Sequence, residues 1–122
     1  MNKSLSGYRI LVVEDEMMNL AMLEDILVDA GCQSVAVAAT IDQAMALIDG
    51  RVFDAAMLDI KLKGKNSYAV ADALAARGVP FVFATGNSVR DIGERYENRP
   101  VLRKPFKAER LVEALTALLP RR

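Results

Sequence analysis

The alternation of two hydrophobic periodicities is the feature that most constrains the fold of this chain. Continuous apolar runs predict five short strands, at residues 8–13, 33–38, 53–58, 80–84 and 101–103. Runs of this kind are typical of strands that are buried on both faces. Because a helical pattern follows each run, we predict an α/β fold with one parallel sheet and helices on both faces.

Apolar residues recur at helical spacing between and after these strands, and the five predicted helices lie at residues 20–30, 41–48, 68–76, 89–96 and 111–119. Thr40 and Gln43 form a capping-box pair at the start of the second helix. Gly31 and Gly78 are well placed to end the first and third helices. Gly93 lies inside the fourth helix, and we expect above-average mobility there because glycine weakens a helix interior.

Length, charge and cysteine content narrow the class of protein. A chain of 122 residues predicts one domain over 1–122, with its core at about 8–119. Sixteen basic and sixteen acidic side chains cancel, so neither nucleic acid nor a membrane is an expected partner. No histidine is present, which excludes His-ligated metal sites, and Cys32 alone cannot form an intrachain disulfide. We expect Cys32 to be a packed hydrophobe and the protein to be cytoplasmic.

Polar residues follow four of the five predicted strands. They are Glu14, Asp15 and Glu16 after the first, Asp59 after the third, Thr85 and Gly86 after the fourth, and Lys104 after the fifth. Ligands of such sheets gather where the strands end. Close carboxylates repel one another unless a cation such as Mg²⁺ lies among them, and a lysine with a hydroxyl suits phosphoryl oxygens. The pattern therefore predicts a carboxylate that accepts a phosphoryl group.

Four motifs follow one another with a helix in every gap: ILVVEDE, AAMLDIKL, FVFATG and VLRKPF. Together they are similar to the response-regulator receiver domain (CheY-like), the phospho-acceptor half of two-component signalling. The resemblance implies a doubly wound five-stranded parallel sheet with the flavodoxin-like strand order 2-1-3-4-5. It also implies that a sensor histidine kinase or histidine phosphotransferase donates a phosphoryl group, and that the receiver then switches conformation to control a protein partner or to drain phosphate.

The resemblance implies a phosphorylated aspartate and a metal site. Asp59 resembles the phospho-acceptor. Asp15, Asp59 and the backbone carbonyl of Lys61 would bind Mg²⁺ or Mn²⁺, and Glu14 would bind the metal through water. The receiver would assist its own phosphorylation and dephosphorylation without being an enzyme.

The resemblance also assigns the groups that contact the phosphoryl oxygens. Thr85 and Lys104 would contact them through their side chains, and Lys61 and Gly86 through their backbones. A cis bond between Lys104 and Pro105 is expected to place the lysine.

The stretch PFVFATGN, which ends at Asn87, is similar to a narrower receiver subfamily that carries P-F-x-F-A-T-G followed by Gly or Tyr. Its members are often stand-alone receivers that serve HWE-type histidine kinases, and Asn87 departs from the motif. Val101 stands where many receivers have an aromatic switch residue, so a different switch is expected. Lys63 and Gly64 replace a common proline, which predicts a looser loop after Asp59.

Other interpretations remain open. A pseudo-receiver would keep the fold as a protein-binding module without being phosphorylated. A haloacid-dehalogenase-like phosphatase needs a second acid two residues after Asp59, where this chain has Lys61, and it needs more length. Because the chain stops at Arg122, just after the fifth helix, no output domain is expected.

Several of these residues also have a purely structural interpretation. The acids at 14–16 could simply favour the start of the next helix. The side chains of Lys63 and Lys65 are expected to be solvated. Methionines suit flexible docking surfaces, and the predicted docking face for a kinase helix consists of Met17, Met18, Met22 and Ile26.

Overall fold

A parallel five-stranded sheet organises the chain. The computed structural model describes residues 4–86, 96 and 99–120. In chain order, the elements are β1 (Arg9–Val13), α1 (Met17–Asp29), β2 (Ser34–Ala38), α2 (Ile41–Gly50), β3 (Ala55–Asp59), β4 (Lys61–Leu62), β5 (Lys65–Asn66), α3 (Tyr68–Ala76), β6 (Phe81–Thr85), β7 (Val101–Arg103) and α4 (Ala108–Leu118). The main sheet has the order β2-β1-β3-β6-β7 and all its pairings are parallel. The predicted flavodoxin-like order is confirmed; β6 and β7 are the predicted fourth and fifth strands.

Hydrophobic packing on both faces of the sheet explains why its strands are apolar throughout. Successive residues of a strand point to opposite faces. In β1, Leu11 and Val13 pack in the layer that contains α2 and α3, while Ile10 and Val12 pack in the layer that contains α1 and α4. Every residue of β3 and β6 is buried. The sheet is therefore the centre of a three-layer fold, as the sequence pattern predicted.

Local signals define the helix ends. The Thr40 side chain accepts the Gln43 N–H at 3.1 Å and caps α2 as predicted, but Gln43 Oε1 accepts the N–H of Ala39, one residue before the cap. Gly31 and Gly78 adopt positive φ after α1 and α3, with angles of 91° and 70°. The predicted helix at 89–96 lies outside the described residues apart from Tyr96. None of the described helices is long and apolar enough to cross a membrane.

The segment after β3 forms a tight hairpin, so the prediction of a looser loop was wrong. β4 and β5 pair antiparallel. The two residues between them, Lys63 and Gly64, have φ angles of 51° and 81°, as in the two-residue turns that favour hairpins. Leu62 is 2% exposed and packs in the core. A buried side chain and a suitable turn together order a loop that lacks proline.

Candidate functional site

The predicted site residues meet at the carboxyl edge of the main sheet. Glu14 follows β1 directly, and its N–H donates to the Ala38 carbonyl at 2.9 Å, so the sheet hydrogen bonding continues one residue beyond β1. The prediction ended the third and fourth strands one residue too early. Asp59 pairs with Ala84 and Thr85 pairs with Arg103. Both side chains therefore belong to strands, whose hydrogen bonds hold their backbones.

Three carboxylates come together at this edge. One oxygen each from Glu14, Asp15 and Asp59 lies within 4.8 Å of the others. Glu14 is fully buried and Asp59 is 7% exposed, whereas Asp15 is half-buried. Hard divalent cations prefer oxygen ligands. The donor set and its partial exposure fit an ion such as Mg²⁺ that keeps part of its water shell.

Lys104 supplies positive charge to this cluster. Its Nζ donates to Glu14 Oε1 at 2.8 Å and to Asp59 Oδ2 at 2.8 Å. The backbone N–H of Lys104 donates to the carbonyl of Thr85 at 2.8 Å, and the bond to Pro105 is cis, as predicted. The end of β6 therefore positions the lysine over the carboxylates.

The two buried acids, Glu14 and Asp59, have different proton affinities because they share a hydrogen bond and the charge of Lys104. Burial, together with the neighbouring Glu14, raises the pKa of Asp59 to about 7, although Lys104 opposes the shift. Burial also acts to raise the pKa of Glu14, but hydrogen bonds with Asp59, Lys104 and Asn19 outweigh it and leave that pKa below its ordinary value. Burial disfavours the ammonium of Lys104, yet both acids raise its pKa overall. Lys104 therefore stays charged and Asp59 titrates near neutral pH.

The hairpin presents backbone donors to the carboxylates. The N–H of Lys61 donates to Asp59 Oδ1 at 3.3 Å, and the N–H of Lys63 donates to Asp15 Oδ2 at 2.8 Å. The contact of Lys63 was not predicted, because a backbone group is not identified by residue type. The side chains of Lys61, Lys63 and Lys65 are exposed, which agrees with a solvated loop.

Two polar side chains at the site were missed by the sequence reasoning. Asn19 donates to Glu14 Oε1 at 3.0 Å and to Glu16 Oε2 at 3.2 Å. Ser67 donates to the carbonyl of Asp59 at 2.6 Å. The position of Asn19 in the first turn after the acids is a weak signal, and Ser67 reads in the sequence as an ordinary residue before a helix.

Thr85 and Gly86 occupy the edge beside the acceptor. Thr85 is 3% exposed, while Gly86 is exposed, and a Cβ on Gly86 would meet no atom within 4 Å. Both residues lie at the carboxyl end of β6, the strand beside Asp59, and their contacts with a phosphoryl group stay a prediction.

An aromatic cluster lies on the α2–α3 face of the sheet. The ring centroids of Tyr96 and Phe83 are 5.7 Å apart, and Tyr96 Oη donates to Asp72 in α3. Val101 packs against the same core. Tyr96 thus brings an aromatic ring to the face where Val101 replaces the usual aromatic residue.

The exposure predicted for the methionines of α1 is confirmed, and the docking of a kinase helix there stays a prediction. Met17, Met18 and Met22 are 70%, 82% and 52% exposed. The prediction that Ile26 belongs to this exposed face was wrong, because Ile26 is partly buried and packs against the core. A cleft of about 340 Å³ connects the face to the carboxylates and is lined by Glu14, Asn19, Met22, Leu23, Lys104, Pro105 and Phe106.

The fold and the acidic site define a receiver of two-component signalling. Residues 10–116 match the model of the response regulator receiver domain, and the chain belongs to this family. It is similar to SdrG from Sphingomonas melonis Fr1, whose solution structure has 43% identity and a TM-score of 0.75, covering 94% of this chain and 97% of that one. The BeF3-activated conformation of SdrG (Pseudomonas melonis Fr1) has 43% identity and a TM-score of 0.79, over 94% and 98% of the two chains.

The chain also resembles part of a longer curated protein. It is 34% identical over 119 residues to the transcriptional regulatory protein TcrA of Mycobacterium tuberculosis, covering 93% of this chain and 47% of that protein. The chain thus spans about half the length of the curated relatives it matches. The similarity supports the receiver assignment and assigns no output activity to this chain.

Proposed function

We propose that Asp59 accepts a phosphoryl group from a phosphohistidine on a histidine kinase or histidine phosphotransferase. Receiver domains act as phosphorylated switches in two-component systems. The observation that carries the proposal is the ammonium of Lys104, 2.8 Å from both Glu14 and Asp59 at the edge of the sheet. In the transfer, an Asp59 oxygen forms a bond to phosphorus while the phosphorus–nitrogen bond breaks and its electrons return to the imidazole.

The chain's own groups would neutralise the charge of the transferred group. Lys104 would exchange part of its contact with Asp59 for a phosphoryl oxygen. The hydroxyl of Thr85 and the backbone N–H groups of Lys61 and Gly86 would contact the remaining oxygens. These contacts are supported by the location of the residues at one edge of the sheet, since Thr85 and Asp59 end neighbouring strands.

A divalent cation fits among the three carboxylates. Asp15, Asp59 and the Lys61 carbonyl would hold Mg²⁺ or Mn²⁺, and Glu14 would act through water because Lys104 already occupies both of its oxygens, at 2.8 and 3.1 Å. Bound metal would keep Asp59 ionised and offset negative charge during the transfer.

The exposed methionines of α1 support a partner-docking role. Met22 lines the cleft that leads to Lys104, and Met18 is exposed on the same helix, so a partner helix seated there would reach the acceptor. We further propose an HWE-type kinase as the partner, on the support of the PFVFATG stretch that ends at Gly86. Phosphorylation would then change the relative populations of two conformations and alter a protein contact or drain phosphate.

Intact mass after incubation with acetyl phosphate tests the phospho-acceptor proposal. Wild type should gain one phosphoryl group only with Mg²⁺, and Asp59→Asn should gain none. Asp25→Asn, which changes an exposed carboxylate on α1, serves as the matched control and should react like wild type. Addition that persists in Asp59→Asn would contradict the assignment of the acceptor.

A pseudo-receiver predicts a different result in the same experiments. It would gain no mass under any condition. Beryllofluoride then separates the two interpretations, since SdrG has a BeF3-activated conformation. Binding of beryllofluoride with Mg²⁺ would support an acceptor that requires its kinase, and no binding would support the pseudo-receiver.

A further inference from the structure

The hydroxyl of Ser67 is buried directly behind the acceptor residue. Ser67 is 0% exposed. Its Oγ lies 2.6 Å from the carbonyl oxygen of Asp59 and 3.0 Å from that of Ile60, and its N–H donates to Ile60 at 2.8 Å. These contacts join the residue before α3 to the end of β3, so Ser67 touches the backbone that carries the acceptor.

Helix capping does not explain this serine. A serine at the position before a helix usually accepts an N–H of the first turn through its side chain. Ser67 holds that position for α3, but its side chain makes no capping hydrogen bond. Asn66 accepts the N–H of Tyr68 at 3.2 Å instead. The hydroxyl of Ser67 is therefore directed to the acceptor strand rather than to the helix.

The residues between Asp59 and Ser67 form the hairpin that faces the carboxylates. Its backbone donates from Lys61 to Asp59 and from Lys63 to Asp15. The β4–β5 ladder has only two residue pairs, and isolated hairpins are marginally stable at best. Its orientation therefore depends on contacts outside the ladder, and Ser67 makes such contacts at its base.

We propose that Ser67 is a positioning residue for the phospho-acceptor site. Through the carbonyls of Asp59 and Ile60 it holds the base of the hairpin, so that the backbones of Lys61 and Lys63 face the two aspartates. The inference rests on the proposed function, because it gives the hairpin the task of presenting metal and phosphoryl contacts. It adds a hydroxyl that touches neither the metal nor the phosphoryl group.

NMR spectra of ¹⁵N-labelled protein test this role without requiring phosphorylation. In Ser67→Ala, the amide signals of Lys61 and Lys63 should move in the metal-free protein. Mg²⁺ affinity should fall by about tenfold, the usual size of an effect transmitted through a ligand's supporting contacts. Thr116→Val is the matched control, because it removes a hydroxyl that donates to a backbone carbonyl at the same distance of 2.6 Å, but within α4, to Val112. It should keep both amide signals of the hairpin and the Mg²⁺ affinity of wild type.

Equal Mg²⁺ affinity and unchanged hairpin signals in Ser67→Ala would overturn the proposal, even if the melting temperature fell. Ser67→Cys fills a similar space with a weak donor, and it keeps the proposal testable if the alanine variant does not fold. Ser67→Cys should show the same shifted amide signals of Lys61 and Lys63 and the same fall in Mg²⁺ affinity as Ser67→Ala.

The two proposals fail in distinguishable ways. If wild type binds Mg²⁺ but gains no mass from acetyl phosphate or a kinase, the proposed function fails, while the Mg²⁺ affinities of the variants still decide the role of Ser67. If wild type binds no Mg²⁺, the role of Ser67 is decided by whether the amide signals of Lys61 and Lys63 move in Ser67→Ala.

Discussion

Lys104 allows two carboxylates to share one buried edge. Its Nζ contacts Glu14 and Asp59, and Glu14 has no exposed surface. Removing one partner of a buried ion pair leaves the other charge without compensation. At the scale of single residues, the stability of the site therefore depends on this ammonium.

Lys104→Met should lower the free energy of unfolding by about 2–4 kcal/mol at neutral pH without metal, since two acids lose their partner. Mg²⁺ should raise the melting temperature of this variant more than that of wild type, because the cation replaces the lost charge. Lys107→Met, at an exposed lysine, is the control and should change stability by less than about 0.5 kcal/mol. Similar losses in both variants, measured by urea unfolding, would argue against a buried ion pair.

Asp59 should make the metal-free protein less stable as pH rises. Burial raises its pKa from 3.8 to about 7 in the folded state, so the folded protein binds a proton that the unfolded chain releases between about pH 4 and pH 7. The resulting stabilisation is complete below about pH 4 and is lost by about pH 8. Asp59→Asn removes this dependence.

Urea unfolding with EDTA at pH 5 and pH 8 measures the effect. The free energy of unfolding of Asp59→Asn should exceed that of wild type by about 1–3 kcal/mol at pH 8. This difference in stability should be smaller at pH 5. Asp25→Asn controls for the loss of an exposed carboxylate. A constant difference between the two pH values would show that Asp59 does not titrate in this range.

The β4–β5 hairpin is the element that the sequence did not reveal. Gly64 has a φ of 81°, and a Cβ there would meet no atom within 4 Å. A substitution at Gly64 therefore acts through backbone strain and not through a clash. Because Lys63 next to it donates to Asp15, strain in this turn should also affect the site.

Gly64→Ala should destabilise the protein by about 1–2 kcal/mol, the cost of a left-handed conformation in a residue with a Cβ. It should also weaken Mg²⁺ binding, which calorimetry can measure. Gly50→Ala is the control: a Cβ there meets no atom and the residue ends α2, so stability should hold or rise by about 0.5 kcal/mol. Unchanged stability in Gly64→Ala would contradict the left-handed turn.

At the element scale, the predicted helix at 89–96 stays a prediction. Uniformly high amide protection over these residues in the metal-free protein would contradict the mobility inferred from Gly93. Tyr96 is the part of this segment that the structure describes, and its hydroxyl donates to Asp72 in α3.

At the scale of the whole molecule, the two layers of helices differ in what they leave exposed. Among the residues that the structure describes, large exposed apolar side chains concentrate in the first half of α1, at Met17, Met18 and Met22. This face adjoins the cleft that reaches Lys104. The location fits docking of a phosphodonor, because the acceptor must come into contact with the donor.

Changing Met18 and Met22 to Gln should leave phosphorylation by acetyl phosphate unchanged and reduce the rate of transfer from a phosphorylated histidine kinase about tenfold or more, since docking loses apolar contacts. Val28→Gln with Val52→Gln is the control pair, because both valines are exposed, at 56% and 67%, and neither lines this cleft. If phosphorylation by acetyl phosphate slowed as much as transfer from the kinase, the substitutions would have damaged the phospho-acceptor site and not the docking surface.

The sequence by itself determined the order of the five main strands, the parallel sheet and the residue types that follow the strand ends. Hydrophobic periodicity is a local property, and parallel strands bring their carboxyl ends to one edge, so residue types and spacing suffice to group Asp59, Thr85 and Lys104. The motifs around these residues added the strand order, through their similarity to the receiver family.

Only the tertiary structure decided how the site is held. The N–H of Lys63 lies 48 residues from Asp15, and the hydroxyl of Ser67 contacts a backbone carbonyl. Residue type does not encode the direction of a backbone group or the burial of a hydroxyl. The pKa of Asp59 likewise depends on how much water the fold excludes and on where Glu14 lies. Packing in three dimensions sets these quantities, and no pattern along the chain specifies them.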